Sequence, residues 1–106
     1  MIELINEGIQ LIHIGKDTKV NADLVKHALI SARASQNYAK FYTDRVYITV
    51  SFHKDNTIAI SHNIRNLNFY REFCLVQKRV KNKTDLQIYS SFIAKWLNIM
   101  RNPIYR

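Results

Sequence analysis

The sequence contains very little cysteine, proline or glycine, and each scarcity excludes a class of protein. Cys74 is the only cysteine among 106 residues, which excludes an internal disulfide and a cysteine-rich zinc site. One proline and two glycines are too few for a disordered or linker-rich chain. With only Gly8 and Gly15 available, no glycine-rich loop can hold a nucleotide phosphate. We therefore expect a single domain over residues 1–106 that uses no cofactor.

Long apolar runs and a secretory leader are also missing. No run approaches the roughly 18 apolar residues that a membrane-spanning helix needs. Residues 1–14 carry Glu3 and Glu7 and lack the basic start of a signal peptide. A small domain without disulfides suits a reducing compartment, so we expect a cytoplasmic protein that does not enter a membrane. The richness in Ile, Asn, Lys and Tyr is typical of AT-rich coding sequences and indicates a phage, a mobile element such as a plasmid, or an AT-rich bacterium as the source.

Acidic residues are scarce in the second half of the chain, and positive charge dominates there. The net charge is +8. Residues 1–53 contain six Lys and Arg against five Asp and Glu, whereas residues 54–106 contain ten against three. A field this one-sided attracts polyanions, so the partner that we expect is negatively charged.

The beginning of the chain fits two structures. Residues 9–14 read as a strand that pairs with residues 2–5 in a hairpin, and we favour this interpretation. A helix stays open as the alternative, because four isoleucines recur at helical spacing. These are Ile2, Ile5, Ile9 and Ile12.

The clearest strands form a hairpin over residues 45–62. Residues 45–53 alternate strictly between apolar and polar side chains, as a half-buried strand does. A three-residue loop, with Asn56 in a left-handed conformation, places Phe52 opposite Ile58 and keeps the apolar side chains on one face. A two-residue loop would mix the faces, so we predict the longer loop.

Helical periodicity accounts for the rest of the chain. Asn21 is a good N-cap for the first helix, and Thr84 to Gln87 fits a capping box before the last. The predicted helices lie at about 22–41, 64–81 and 85–101. We therefore predict an α+β fold in which a small antiparallel sheet, centred on the hairpin 45–62, carries these helices on one face.

Basic residues recur at regular positions on the predicted helices. Lys26, Arg33 and Lys40 are seven residues apart and would share one face of the first helix. Neutralisation of phosphates by such residues provides most non-specific affinity for nucleic acid. We predict binding of DNA or RNA without catalysis, while a solvated basic surface and an acidic protein partner stay open. The predicted nucleic-acid-binding residues are Lys26, Arg33, Lys40, Arg71, Lys78, Arg79, Lys81 and Lys83.

The last helix carries an apolar stripe that is wide for a small domain. The stripe has two interpretations: it is the core, or it is an interface for a homodimer through residues 85–101. Its interface candidates are Tyr89, Phe92, Trp96 and Met100. The second function that we consider is a small interaction protein, such as a phage or mobile-element inhibitor of an acidic host protein.

The polar face of the hairpin and its histidines are weaker indications of function than the basic residues. As a base-stacking surface this face offers only Tyr47, with His53 at its rim, so a solvated face is predicted. His53 and His62 bracket the hairpin, which raises a small nuclease as a third hypothesis. No acidic cluster accompanies them, and the predicted register puts them on opposite faces. We predict no catalytic residue and no metal site.

Overall fold

The computed structural model describes residues 2–4, 9–55, 57–80 and 85–101, which adopt an α+β fold. Within these ranges, five strands and three helices enclose one hydrophobic core, and the helices pack on one face of the sheet. This confirms the predicted fold class. In chain order the elements are β1 (Ile2–Leu4), β2 (Gln10–His13), α1 (Ala22–Ala34), β3 (Tyr38–Tyr42), β4 (Tyr47–Phe52), β5 (Ile58–His62), α2 (Leu67–Arg79) and α3 (Leu86–Met100).

The sheet is mixed rather than purely antiparallel. Its strands lie side by side in chain order, from β1 to β5. β1 and β2 form the favoured antiparallel hairpin, in which Ile2 lies opposite Ile12. β2 and β3 run parallel, with α1 as the crossover between them, whereas β3, β4 and β5 are antiparallel neighbours. The prediction of an antiparallel sheet is wrong at the β2–β3 pair, because the sequence pattern assigns residues 38–41, most of β3, to a helix.

The first helix ends at Ala34, well before the predicted end. Gln36 has a φ of 53°, in the left-handed region. The Gln36 amide donates to the Arg33 carbonyl at 3.1 Å. The Asn37 amide donates to the Ala32 carbonyl at 2.9 Å. This pair of bonds is a Schellman motif, which usually has glycine at the left-handed position. Because glutamine takes that position here, no glycine marks the end of the helix in the sequence.

Residues 38–42 therefore form β3, and the predicted helix 22–41 is wrong over its last part. Burial alternates along β3 with the period of a strand: Ala39 and Phe41 are fully buried and face the helices. The side chains on the opposite face are only partly buried. They are Tyr38, Lys40 and Tyr42.

The hairpin of β4 and β5 has the predicted register. Phe52 lies opposite Ile58. The His53 amide donates to the Thr57 carbonyl at 3.0 Å, which leaves a loop of three residues between them. The longer loop is therefore confirmed. The left-handed conformation predicted for Asn56 concerns a residue outside the described ranges.

The helices begin at polar residues. Asn21 accepts a hydrogen bond from the amide of Leu24 at 2.8 Å, so the predicted N-cap of α1 is confirmed. α2 starts after Asn66, whose side chain caps it in the same way. α3 starts after Asp85, which makes no side-chain cap bond. The Thr84 of the predicted capping box lies outside the described residues.

The core lies between the apolar face of the sheet and the helices. Ile12, Phe41 and Ile48 from the sheet are fully buried, as are Leu29 of α1 and Leu97 of α3. In the part of the chain that the structure describes, no helix has both the length and the apolar character needed to cross a membrane.

Candidate functional site

The predicted phosphate-binding residues do not share one surface. Lys26 and Arg33 lie on α1 and are partly buried. Lys40 lies on β3, on the sheet face that is turned away from the helices. The predicted helical stripe is therefore wrong at Lys40, because α1 ends before reaching it. The exposed members on α2 are Arg71, Lys78 and Arg79. The members outside the described residues are Lys81 and Lys83.

Several of the predicted nucleic-acid-binding residues lie on the outer surface of the helices. The Nζ of Lys26 lies 3.2 Å from the Oε1 of Gln87 on α3. Gln87 and Arg79 line one groove of about 400 Å³ between α2 and α3, here called the α2–α3 groove. Leu75 also lines this groove, and its side chain is 59% exposed. The helical surface therefore combines basic residues with an apolar groove.

Some of the charge in the α2–α3 groove is already compensated. The Glu72 carboxylate accepts hydrogen bonds from Nζ of Lys95, at 2.6 Å, and from the indole N–H of Trp96. Burial by itself raises the pKa of Glu72, but these two hydrogen bonds and the charge of Lys95 bring it below its usual value. Glu72 is therefore ionised near neutral pH and neutralises Lys95.

The apolar stripe of α3 belongs to the core. Its members Tyr89, Phe92, Trp96 and Met100 are all buried inside the domain. The exposed positions on α3 are instead polar. They are Gln87, Ser91 and Lys95. The core interpretation of the stripe therefore agrees with its burial, and those four side chains have almost no surface left for a homodimer contact.

The sheet face opposite the helices carries a row of rings. His13 on β2 lies beside Tyr42 on β3, which lies beside Tyr47 on β4. The His13 and Tyr42 rings have their centroids 5.2 Å apart. These three side chains, here called the ring row, come from adjacent strands of one hydrogen-bonded sheet. Among the described helices, none packs on this face, so the rings are accessible from outside.

A lysine lies between the rings. Lys40 is two residues before Tyr42 on β3, so its side chain is on the same face. Its Nζ lies 5.6 Å from the centroid of the Tyr42 ring and 5.3 Å from that of Tyr47. Both distances are within the range of a cation–π interaction. The ammonium group is thus held over the two rings, where an anion above the sheet would meet it.

Tyr38 extends this surface along β3. It is four residues from Tyr42, so their Cα atoms are about 13 Å apart along the strand. The neighbours on β4 are small and polar, Ser51 beside Tyr38 and Thr49 beside Lys40, whereas the neighbour of Lys40 on β2 is Leu11. The ring row, Lys40 and Tyr38 are together called the platform below.

The sequence pattern misses most of the platform. It identifies Tyr47, but it assigns Tyr38 and Lys40 to a helix, leaves Tyr42 without an element, and places His13 on a strand with no assigned face. The alternation of Tyr38, Ala39, Lys40, Phe41 and Tyr42 is the signal that could have revealed a strand, because aromatic residues favour sheets. The polar face of the hairpin is one part of a wider uncovered face, and its rings on β2 and β3 lie outside the hairpin that the sequence pattern identified.

The histidines of the hairpin lie apart, as the register predicts. His53 is exposed beyond the end of β4, whereas His62 lies opposite the buried Ile48. The His62 ring packs against Phe69 of α2, with centroids 4.6 Å apart, and burial lowers its pKa. Across the described residues, no group of three His, Cys, Asp or Glu side chains is placed to hold a metal ion. His62 therefore serves the packing of α2 on the sheet.

No family model, curated protein or solved structure matches this chain. What the protein binds must therefore be inferred from the chemistry of its own surfaces, of which the platform and the α2–α3 groove are the candidates.

Proposed function

We propose that this protein binds single-stranded nucleic acid on the platform, without catalysing a reaction. The observation that carries the proposal is the placement of Tyr42, Tyr47 and His13 as adjacent rings on an uncovered sheet face, with Lys40 between them. Aromatic rings on a sheet are the usual means by which proteins stack unpaired bases. The proposal keeps the ligand class predicted from the charge of the sequence and moves the binding surface from the helices to the sheet.

The position of the rings on an open sheet face favours single strands over duplexes. In a duplex the faces of the bases are stacked on each other, so a ring on a sheet face cannot reach them. Unpaired bases can be splayed onto Tyr42 and Tyr47, and each stacked base contributes roughly 1–3 kcal/mol. The separation of about 13 Å between the Cα atoms of Tyr38 and Tyr42 gives room for a strand to contact more than one ring.

Positive charge near the platform supplies the attraction for phosphates. Lys40 stands over the rings, and the exposed Lys54 lies in the hairpin turn after β4. The net charge of +8 adds a long-range attraction that speeds the encounter with a polyanion. Phosphate contacts carry no sequence information, so we expect weak sequence preference.

Fluorescence anisotropy with a labelled 12-nucleotide DNA, its RNA equivalent and the matching duplex tests this proposal. We expect the single strands to bind more tightly than the duplex. Tyr42→Ala and Tyr47→Ala should each weaken binding by roughly tenfold to a hundredfold, from the energy of one stacked base. Tyr70→Ala is the matched control, because Tyr70 is a partly exposed tyrosine of α2, away from the platform.

Two results would contradict the proposal. One is a duplex that binds as tightly as the single strand, because the rings would then contribute nothing. The other is a Tyr70→Ala variant that loses as much affinity as Tyr42→Ala, which would place the binding surface on the helices. Circular dichroism of each variant checks that the fold is retained.

A second candidate function is binding of an acidic protein segment in the α2–α3 groove. The observation that favours it is the exposed Leu75 beside Val76 and Phe92, with Arg79 at the rim. A solvent-exposed leucine over an apolar groove is typical of a docking site, and the basic rim would select an acidic partner.

A fluorophore on Cys74, which is exposed on α2, reports on this groove. The probe is a synthetic helical peptide with leucines on one face and glutamates on the other, compared with a scrambled peptide of the same composition. Saturable binding that Leu75→Ser abolishes would support this function. The control is Leu67→Ser, because Leu67 is exposed on α2 but does not line the groove. Equal binding of both peptides would exclude it.

A further inference from the structure

A second opening lies at the end of the ring row. It is a cavity of about 410 Å³, within the size range of small-molecule sites, and is called the end cavity here. Its walls come from the segment after β2, the turn between β3 and β4, and the end of α3. Asp44 in its wall has Oδ1 at 3.7 Å from Nε2 of His13, a member of the ring row. The end cavity therefore lies next to the His13 end of the platform, near the carboxyl ends of the parallel strands.

Three of the seven residues that line the end cavity are cationic. Lys16, Arg45 and Arg101 line it from segments that are far apart in the sequence. The Nη1 of Arg101 donates to the Lys16 carbonyl at 2.7 Å, which ties the guanidinium to the wall. Among the described residues, Arg101 makes no salt bridge, so its positive charge is available to an anion in the end cavity.

Two features of the end cavity oppose an anion, and together they carry less charge than the three cations. Asp44 also lines it, and because its side chain is largely exposed, solvent screens its charge. The C-terminus of α3 contributes roughly half a negative charge. Against these stand the full charges of Lys16, Arg45 and Arg101, so the end cavity remains electropositive.

We propose that the end cavity binds the terminal phosphate of the nucleic-acid strand that lies on the platform. A phosphomonoester carries a charge of about −1.5 to −2 at pH 7, against −1 for a phosphate inside the strand, so a cationic cavity favours the chain end. This inference rests on the proposed function and narrows the ligand to strands with a phosphorylated end.

The test uses 12-nucleotide strands labelled on an internal base, which leaves both ends free. The probes carry a 5′-phosphate, a 3′-phosphate or hydroxyl groups at both ends. We expect one of the phosphorylated strands to bind roughly tenfold or more tightly than the hydroxyl strand, as the added charge-assisted bonds predict. The phosphorylated end that gains affinity also gives the direction of the strand on the platform.

Substitutions of exposed basic residues show which side chains produce the preference for the phosphorylated strand. Arg45→Gln and Lys16→Gln should remove the preference for the phosphorylated strand, while the hydroxyl strand keeps most of its affinity. Both residues are exposed, so the core is not disturbed. The matched control is Arg65→Gln, an exposed arginine that does not line the end cavity, and it should retain the preference.

The outcomes separate this inference from the proposed function. If the three strands bind equally well, the end cavity is not a phosphate site, and binding on the platform stands. A preference that survives both Arg45→Gln and Lys16→Gln would likewise overturn the inference. If no strand binds at all, the proposed function fails, and the inference fails with it.

Discussion

The platform and the outer surface of the helices differ in how their side chains are placed. On the platform, rings from adjacent strands meet at neighbouring positions of one hydrogen-bonded ladder, with Lys40 held over two of them. On the helices, basic residues are more numerous but are spread over α1, α2 and α3. Some of them already have partners, such as Lys95 with Glu72 and Lys26 with Gln87. The number of basic residues therefore indicates the helices as the binding surface, whereas the spatial arrangement of the side chains indicates the sheet.

The two surfaces are also supported differently. The strands of the platform are held on both sides by neighbouring strands, because β2, β3 and β4 are interior in the sheet. α2 is held mainly by a cluster of rings in which Phe69 packs against Phe92 and Trp96, with centroid distances of 5.2 and 5.5 Å. A mutation under α2 should therefore disturb the helical surface more than the platform.

Phe69→Ala is expected to have the largest effect. Phe69 is fully buried, so its loss should lower the free energy of unfolding by about 3–5 kcal/mol. Urea denaturation followed by circular dichroism measures the change. Tyr70→Ala removes a ring that is 44% exposed but packs against Phe69 and His62, so it should cost less, about 1 kcal/mol. Where Phe69→Ala is still folded, it should bind single strands as the wild type does. Equal losses in the two variants would show that the ring cluster does not hold α2.

Lys40→Gln on the platform and Lys78→Gln on α2 together test which surface contacts the phosphates. If Lys40 contacts one phosphate, its removal should reduce the slope of log affinity against log salt by about 0.7, the value for a single strand. Lys78→Gln, which removes an exposed charge from α2, should change the slope less. A salt titration of anisotropy gives both slopes. A larger change for Lys78→Gln would assign the phosphates to the helical surface.

Gln36→Gly concerns the turn that leads into β3. Gln36 adopts a left-handed conformation that costs roughly 1–2 kcal/mol for a residue other than glycine. Glycine removes this cost but adds entropy to the unfolded chain, which offsets roughly 0.4–1 kcal/mol of it. We expect a net gain in stability of about 0.5 kcal/mol by urea denaturation. Gln77→Gly, inside α2, should instead destabilise the protein by roughly 1 kcal/mol. A loss of stability in Gln36→Gly would mean that its side chain stabilises the turn.

The pH dependence of stability is expected to be the smallest effect. It concerns His62, whose ring packs against Phe69 of α2. Burial lowers the pKa of His62 below its usual value of 6.5, so the unfolded state binds the proton first as the pH falls. The stability from neutral His62 is complete above pH 6.5 and declines as the pH falls from there toward the lowered pKa.

His62→Asn should flatten this decline. Asparagine can still accept the bond that the Ile64 amide donates to Nδ1 of His62 at 3.1 Å, but it does not titrate. Urea midpoints between pH 5 and 7.5 measure the effect, and His53→Asn, at an exposed position, is the control. An unchanged decline in His62→Asn would assign the pH dependence to another group.

Features set by neighbouring residues in the chain could be predicted from the sequence. The register of β4 and β5 follows from strict alternation and from the number of residues in the loop, so Phe52 opposite Ile58 could be worked out in advance. Asn21 caps α1 through a bond to a residue three positions along, which is also local. The same holds for α2 and α3, whose apolar periodicity predicts their positions to within a few residues.

The end of α1 and the identity of the binding surface depended on the tertiary structure. Residues 35–37 carry no glycine, and the helical spacing of Lys26, Arg33 and Lys40 continues past the true end of the helix. Packing of Ala39 and Phe41 into the core outweighs that pattern and makes β3 a strand.

The sequence by itself therefore determined the α+β class, the hairpin and the positive charge, because these depend on local periodicity and composition. Only the tertiary structure decided that the ring row exists. Its members come from β2, β3 and β4, and they become neighbours only when α1 crosses over and β3 pairs in parallel with β2. Such contacts depend on which strands lie side by side, and no pattern within a single segment of this chain records that choice.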